Sequence, residues 1–156
     1  MGNIITTDIK NALAGKAYLS ALALALTIPD ICTKEKGRKA YCTWYNQYFV
    51  YNSVSDVNYS LTDKECYALR CSFLHEMKTD IGKQPVLEKE LKNKKMEYTF
   101  KIANGNVQYV CWLSENEKVI YLSVNIFVNQ MLRGYEKFLK DNPSFEAQFK
   151  NIKIDL

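Results

Sequence analysis

The sequence predicts a single, mainly helical α+β domain over residues 1–156: a bundle of four helices with a small antiparallel β meander inserted at about residues 96–124, before the last helix. Three observations support this fold class. Apolar residues recur every three or four positions over most of the chain, as on one face of a helix. Thr62 followed by Glu65 is the pattern of a capping box, which starts a helix. Within residues 96–124 the apolar positions alternate, which is typical of half-buried strands.

The first helix is expected to begin near Thr6 and to run to about Leu26, where Pro29 would stop it because the residue before a proline disfavours helix. Its segment Tyr18–Ile28 is apolar on most of its circumference, which predicts a place in the middle of the bundle. That run is too short to span a bilayer. A signal peptide is the less favoured alternative, since few basic residues precede the run. We therefore expect a cytoplasmic protein without a membrane partner.

The second helix is predicted over about Arg38–Tyr51. It carries an aromatic stripe that could stack RNA bases or belong to the core, and the core interpretation is favoured. The stripe consists of Tyr41, Trp44, Tyr45, Tyr48 and Phe49. The third helix is predicted to start after Thr62 and to end near Met77.

The period-two region is predicted to be a three-stranded meander, or a hairpin with a third strand, and it leads into the last helix. Asn104-Gly105 is a strong hairpin signal between the first two strands, which favours antiparallel pairing. The predicted strands are Met96–Ile102, Val107–Leu113 and Val119–Val124, and the last helix covers about Asn125–Lys140.

Charge and cysteine content limit the function classes. The formal net charge of +4 permits a polyanionic partner without requiring one. Much of the excess lies in a basic cluster that is a weak candidate for RNA binding, although a solvated loop is the simpler interpretation. The basic cluster consists of Lys34, Lys36, Arg38 and Lys39. The five cysteines include no Cys-x-x-Cys pair, which favours a reducing compartment over a disulfide framework.

His75 is the only histidine, and Arg70 precedes it by five residues on the predicted third helix. An imidazole can transfer a proton and a guanidinium can hold phosphate oxygens, so the pair is a candidate for metal-free phosphodiester chemistry. In the structural alternative, Arg70 pairs with Glu65 or Asp63 and His75 stabilises the helix end. Cys71 and His75 alone do not make a zinc site, so we expect neither a metal nor a cofactor.

On a helix, Arg70 and His75 are separated by about 140° of rotation and roughly 7.5 Å along the axis. One helix brings them together only through long side-chain reach, whereas two helices meeting across a two-fold axis could place both pairs in one cleft. The face that carries His75 has small residues, which allow close helix approach: Ala68, Cys71 and Ser72. We therefore expect a homodimer whose contact surface includes the helix Asp63–Met77.

The spacing Arg70-x4-His75 in a helical bundle resembles the Arg-x4-6-His signature of the HEPN superfamily. Further segments are similar to a group of small uncharacterised bacterial proteins: Ala21–Cys32, Tyr41–Tyr45, Cys66–His75 and Leu122–Phe127. Many HEPN proteins are metal-independent endoribonucleases of toxin and antiviral systems. The resemblance implies that function here, with Arg70 and His75 as catalytic residues in a cleft between two protomers.

The same resemblance implies RNA as substrate and an antitoxin or sensor protein as partner. Cleavage by the RNA's own 2′-hydroxyl would leave 2′,3′-cyclic phosphate ends. The residue after the motif arginine is commonly polar in this superfamily; here it is Cys71, and Ser72 is the candidate replacement. The second hypothesis is a non-catalytic, dimeric interaction or nucleotide-binding module of the same fold. An Arg70–His75 pair buried within one protomer would favour the module, and a pair open to a groove between protomers would favour the nuclease.

Overall fold

The computed structural model describes residues 4–49, 60–88 and 96–145. Within these ranges the chain forms six helices and three strands: α1 (Ile4–Ala14), α2 (Tyr18–Cys32), α3 (Arg38–Tyr48), α4 (Asp63–Glu76), α5 (Pro85–Glu88), β1 (Glu97–Ala103), β2 (Tyr109–Ser114), β3 (Glu117–Ser123) and α6 (Val124–Asp141). The mainly helical α+β class is confirmed. The predicted number of four helices is wrong.

The predicted first helix is two helices, because the chain turns at residues 15–17. Lys16 takes a left-handed conformation with φ of 60°. Its N–H donates to the Leu13 carbonyl at 3.0 Å, and the Ala17 N–H donates to the Ala12 carbonyl at 2.8 Å. This pair of hydrogen bonds is the Schellman motif that ends a helix. Here a lysine occupies the left-handed position that glycine usually takes, so the sequence gives a weak signal for the break.

The expectation that Pro29 ends the helix is also wrong, since α2 continues through it to Cys32. Side-chain hydroxyls donate to two carbonyls in this segment, one of them the proline's own. Tyr41 donates to the Leu26 carbonyl at 3.0 Å, and Thr33 donates to the Pro29 carbonyl at 2.9 Å. These bonds add to the backbone hydrogen bonds around the turn in which the proline removes the N–H that would donate to the Ala25 carbonyl. Asp30 therefore lies on a helix and not in a loop.

Helix α2 is central to the bundle, as predicted, and contacts α1, α3, α4 and α6. Much of its apolar surface is fully buried, at Ala21, Leu22, Ala25, Leu26 and Ile28, whereas Leu19 and Leu24 are exposed. None of the helices in the described ranges combines the length and the apolar character that crossing a membrane requires. The core interpretation of the aromatic stripe on α3 is confirmed as well, because all five of its side chains are buried.

The three strands form a sheet in the order β1-β3-β2. Strand β3 pairs antiparallel with β2 but parallel with β1, so the predicted all-antiparallel meander is wrong. The Asn104-Gly105 turn does not join a hairpin; it carries the chain across the end of β3. Ser123 donates a hydrogen bond to the Gly105 carbonyl, and Asn125 donates to the Asn104 side chain at 2.6 Å. Strand β3 has the most buried residues of the three, and the central position covers both its edges.

A buried ion pair joins the sheet to α4. The Lys118 ammonium on β3 contacts the Glu65 carboxylate, and their side chains are only 9% and 3% exposed. Glu65 also accepts the Thr62 N–H at 3.0 Å, which completes the predicted capping box. A single carboxylate thus fixes the start of α4 and its position against the sheet. The start of α4 is confirmed, and so is its end, where Met77 has a φ of 52°.

Candidate functional site

The C-terminal half of α4 and the end of α2 together hold the Arg70 side chain. Its Nε donates to the Asp30 Oδ2 at 2.8 Å, and the two side chains are 23% and 22% exposed. Partial burial disfavours the charge of Arg70, but the Asp30 carboxylate outweighs this effect and raises the pKa of the guanidinium. Arg70 is therefore a fixed cation with one edge held by α2.

The Nη1 of Arg70 lies 3.3 Å from the Nε2 of His75. The arginine side chain is long enough to reach His75 although the two residues point in different directions from α4. A guanidinium can only donate hydrogen bonds, so Nε2 is the acceptor in this contact. The result is a chain of three groups, Asp30–Arg70–His75, within one protomer.

The pair meets neither of the two expected arrangements in full. Both residues lie in one protomer, as the module hypothesis requires. However, His75 is exposed and Arg70 is only half-buried. The guanidinium and the imidazole are accessible to a ligand that approaches from solvent.

Of the two candidate supporting residues, one lies beside the site and the other faces away from it. The Cys71 sulfur is 4.0 Å from the Nη1 of Arg70. Tyr67 lies on the same side of α4, and its pKa is raised mainly by burial and to a smaller extent by the neighbouring Cys71. Ser72 is buried; it donates to the Asp80 carbonyl at 2.9 Å and accepts from Gln84 at 2.7 Å. Ser72 thus ties the loop after α4 to the helix.

The small-residue face that motivated the predicted dimer contact is largely occupied by the protomer's own core. Ala68 is fully buried and Ser72 is 1% exposed. Only Cys71 and His75 on that face reach the surface. The homodimer remains a prediction, but this part of its motivation is lost.

The basic cluster lies in the loop after α2 and the first turn of α3, and all four side chains are exposed. The Lys36 ammonium donates to the backbone carbonyls of Asp30 and Thr33, which closes the end of α2. Lys36 and Arg70 therefore contact the same residue, one through its backbone and the other through its carboxylate. Lys34 and Lys39 line a cavity of about 460 Å³ that also reaches Trp44 and Phe138.

Sequence reasoning missed Asp30 and named the wrong carboxylates as partners of Arg70. Glu65 binds Lys118, and Asp63 accepts a hydrogen bond from Asn46 at 3.0 Å. Asp30 is 40 positions away from Arg70. Its only sequence signal is that it is an isolated acid at the end of an apolar helix. The contact between Arg70 and Asp30 requires α2 to continue through Pro29, and the sequence predicts that the helix stops there.

A scan against protein-family models found no match for this chain, and comparisons with curated proteins and with solved structures found none either. Within residues 4–49, 60–88 and 96–145, no group of three or more His, Cys, Asp or Glu side chains is placed to hold a metal ion. The geometry of Asp30, Arg70 and His75 is therefore the feature of the described residues that indicates a function.

Proposed function

We propose that this protein is a HEPN-like, metal-independent endoribonuclease of a bacterial toxin or defence system. The observation that carries the proposal is the 3.3 Å contact between the Arg70 Nη1 and the His75 Nε2 on an open surface. A permanent cation and a group that can accept a proton thus lie within reach of each other, which supports action on one phosphodiester. The Arg-x4-His resemblance supplies the class of substrate.

Asp30 has the role of a positioning residue in this proposal. It holds the Nε edge of Arg70 at 2.8 Å and leaves donors on the two terminal nitrogens for a ligand. A guanidinium fixed in this way contacts phosphate oxygens in one orientation and stabilises the extra negative charge of the pentacovalent transition state. No reorganisation of the cation is then needed at the moment of reaction.

His75 is the general base. The RNA 2′-hydroxyl gives its proton to the imidazole, its oxygen forms a bond to the adjacent phosphorus, and the bond from phosphorus to the 5′-oxygen breaks. The leaving oxygen takes a proton from solvent, and the other end is a 2′,3′-cyclic phosphate. Without substrate the Nε2 lone pair accepts from Arg70. A phosphate that draws the Arg70 N–H towards itself would free that lone pair for the 2′-hydroxyl.

The basic cluster extends the candidate surface for a polyanion. Lys36 is adjacent to Asp30, and Lys34, Arg38 and Lys39 continue along the loop and into α3. RNA phosphates flanking the scissile bond would lie on these side chains, and their binding would weaken as salt increases. A toxin or defence role further implies a cytoplasmic location and an antitoxin or sensor protein as partner.

The test is cleavage of mixed cellular RNA by purified protein in excess chelator. Wild type should cleave and His75→Ala should not. The matched control is Lys78→Ala, which removes an exposed cation just beyond the same helix end and leaves the Arg70–His75 contact intact. Cleavage that requires added magnesium, or that persists in His75→Ala, would contradict the proposal.

A second candidate function is the non-catalytic module, and one observation favours it. The Nε2 lone pair of His75 is already engaged by Arg70 within the protomer, as in a purely structural contact. The module would bind RNA or a nucleotide at Arg70 without cleaving it. Binding that is lost in Arg70→Ala, together with the absence of cleavage in wild type, would favour the module.

A further inference from the structure

The exposed apolar side chains of the described residues are concentrated on β2 and the residues leading into it. Among all the described residues, seven large hydrophobic side chains are exposed, and four of the seven lie in this segment. They are Val107 (60% exposed), Tyr109 (39%), Trp112 (58%) and Leu113 (65%). A concentration of this kind on one short element is typical of an interaction surface.

Strand β2 is also an edge of the sheet, and among the described residues it pairs only with β3. Edge strands usually carry charged side chains or proline, which prevent pairing with another chain. Residues Tyr109–Ser114 contain neither. The one irregularity, a register shift between Trp112 and Ser114, lies at the turn end of the strand.

We propose that β2 pairs antiparallel with β2 of a second copy, so that two sheets of three strands become one sheet of six. The absence of charge favours a second copy as the occupant, because a self-pairing strand places no like charges opposite one another. Glu115 and Glu117 follow one end of β2, so the two copies of this acidic turn would lie at opposite ends of the paired strands. The acidic turn and the lack of lysine or arginine on β2 disfavour RNA as the occupant.

The register of this pairing follows from side-chain alternation. Directly opposed residues of an antiparallel pair lie on the same face of the sheet. The two-fold axis must therefore pass between the two copies of one residue, which then lie opposite each other. Cys111 is at the middle of the segment Tyr109–Leu113, and it is half-buried in the protomer. The Cys111 residues of the two copies would therefore face each other, flanked by Val110 opposite Trp112.

This interface does not depend on the proposed nuclease, because Arg70 and His75 meet within one protomer and lie on α4. It replaces the α4 surface as the expected dimer contact. Mass measurements and RNA cleavage are separate readouts, so the dimer can fail while the nuclease stands, and the reverse.

The test is light scattering at several protein concentrations, with nuclease-treated protein under reducing conditions. Wild type should have twice the mass of the chain at high micromolar concentration, and Leu113→Lys should halve it. The control, Leu19→Lys, places the same charge at another exposed leucine, on α2 (53% exposed), and should remain dimeric. A monomeric wild type, or a dimer that Leu113→Lys leaves intact, overturns the proposal. So does association that disappears when bound RNA is removed.

Oxidative cross-linking tests the register separately. A mild oxidant should join wild-type protomers through Cys111, and Cys111→Ser should abolish the covalent dimer. Cys71→Ser is the matched control, since Cys71 is the other half-buried thiol, and it should cross-link like wild type. A covalent dimer that survives Cys111→Ser contradicts the predicted register.

Discussion

At the scale of single residues, the position of Arg70 depends on a partner from another helix. Asp30 and His75 contact different nitrogens of one guanidinium, at 2.8 and 3.3 Å. The sequence identified Arg70 and His75 through their spacing and the chemistry of their side chains. It could not identify Asp30, because nothing in the local pattern relates the end of α2 to the middle of α4.

If the protein cleaves RNA, Arg70→Ala should slow cleavage by about two to three orders of magnitude, the usual effect of removing a preorganised charge from the transition state. Arg70→Lys should restore little, because an ammonium cannot contact Asp30 and two phosphate oxygens in the geometry of a guanidinium. Single-turnover cleavage of an RNA oligonucleotide measures both variants. A lysine variant as active as wild type would exclude the proposed orienting contact with Asp30.

Asp30→Asn should lower the cleavage rate by up to about 100-fold, because it removes the charge that fixes the guanidinium while it keeps the shape of the side chain. The free energy of unfolding should change by no more than about 1 kcal/mol, since the pair is partly exposed. Comparing the kinetics with urea unfolding separates the two effects. A large loss of stability with an unchanged rate would make Asp30 a purely structural residue.

The buried thiols predict how stability depends on pH. Burial raises the pKa of Cys42 to about 12, and it raises the pKa values of Cys32 and Cys66 further. Unfolded thiols ionise near pH 8.5, so between about pH 8.5 and 12 the folded state holds more protons than the unfolded state. The free energy of unfolding should therefore fall as pH rises through this window, by about 2 kcal/mol per thiol at pH 10. Urea unfolding at several pH values should show a shallower decline for Cys42→Ala; an identical slope would contradict this explanation.

At the scale of elements, the sequence predicted what local patterns determine and missed what distant contacts determine. The Thr62–Glu65 capping box correctly placed the start of α4, and the period-two alternation correctly located three strands. The predicted strand order was wrong, because the order depends on which strand the helices cover most completely. The break between α1 and α2 was missed because Lys16, and not a glycine, takes the left-handed position.

The contact between α3 and α6 requires the absence of a side chain at Gly134. A Cβ there would lie 2.5 Å from the carbonyl oxygen of Tyr48, which is backbone and cannot easily move. Gly134→Ala should destabilise the fold by about 1–3 kcal/mol, the usual range for overpacking. The control is Gly105→Ala, where the nearest atom would be 4.0 Å away. Thermal unfolding of both variants measures the difference, and equal melting temperatures would exclude a close approach of these helices.

At the scale of the whole molecule, α2 connects the core to the candidate site. Its middle turns pack against four other helices, and its last turns carry Asp30 and the carbonyls that hold Lys36. The site is therefore built on the end of α2 and the C-terminal half of α4, and Lys36 of the basic cluster binds the same turn of α2. In the proposed nuclease, this arrangement would hold Arg70 and His75 in place before substrate binds.

The most direct test of this account is single-turnover cleavage of a defined RNA oligonucleotide in excess chelator, with analysis of the product ends. We predict 2′,3′-cyclic phosphate ends with wild type, and no cleavage with His75→Ala or when the nucleotide at the scissile position is 2′-deoxy. Cleavage of the 2′-deoxy substrate, or full activity in His75→Ala, would contradict the proposed attack by the 2′-hydroxyl with His75 as its base.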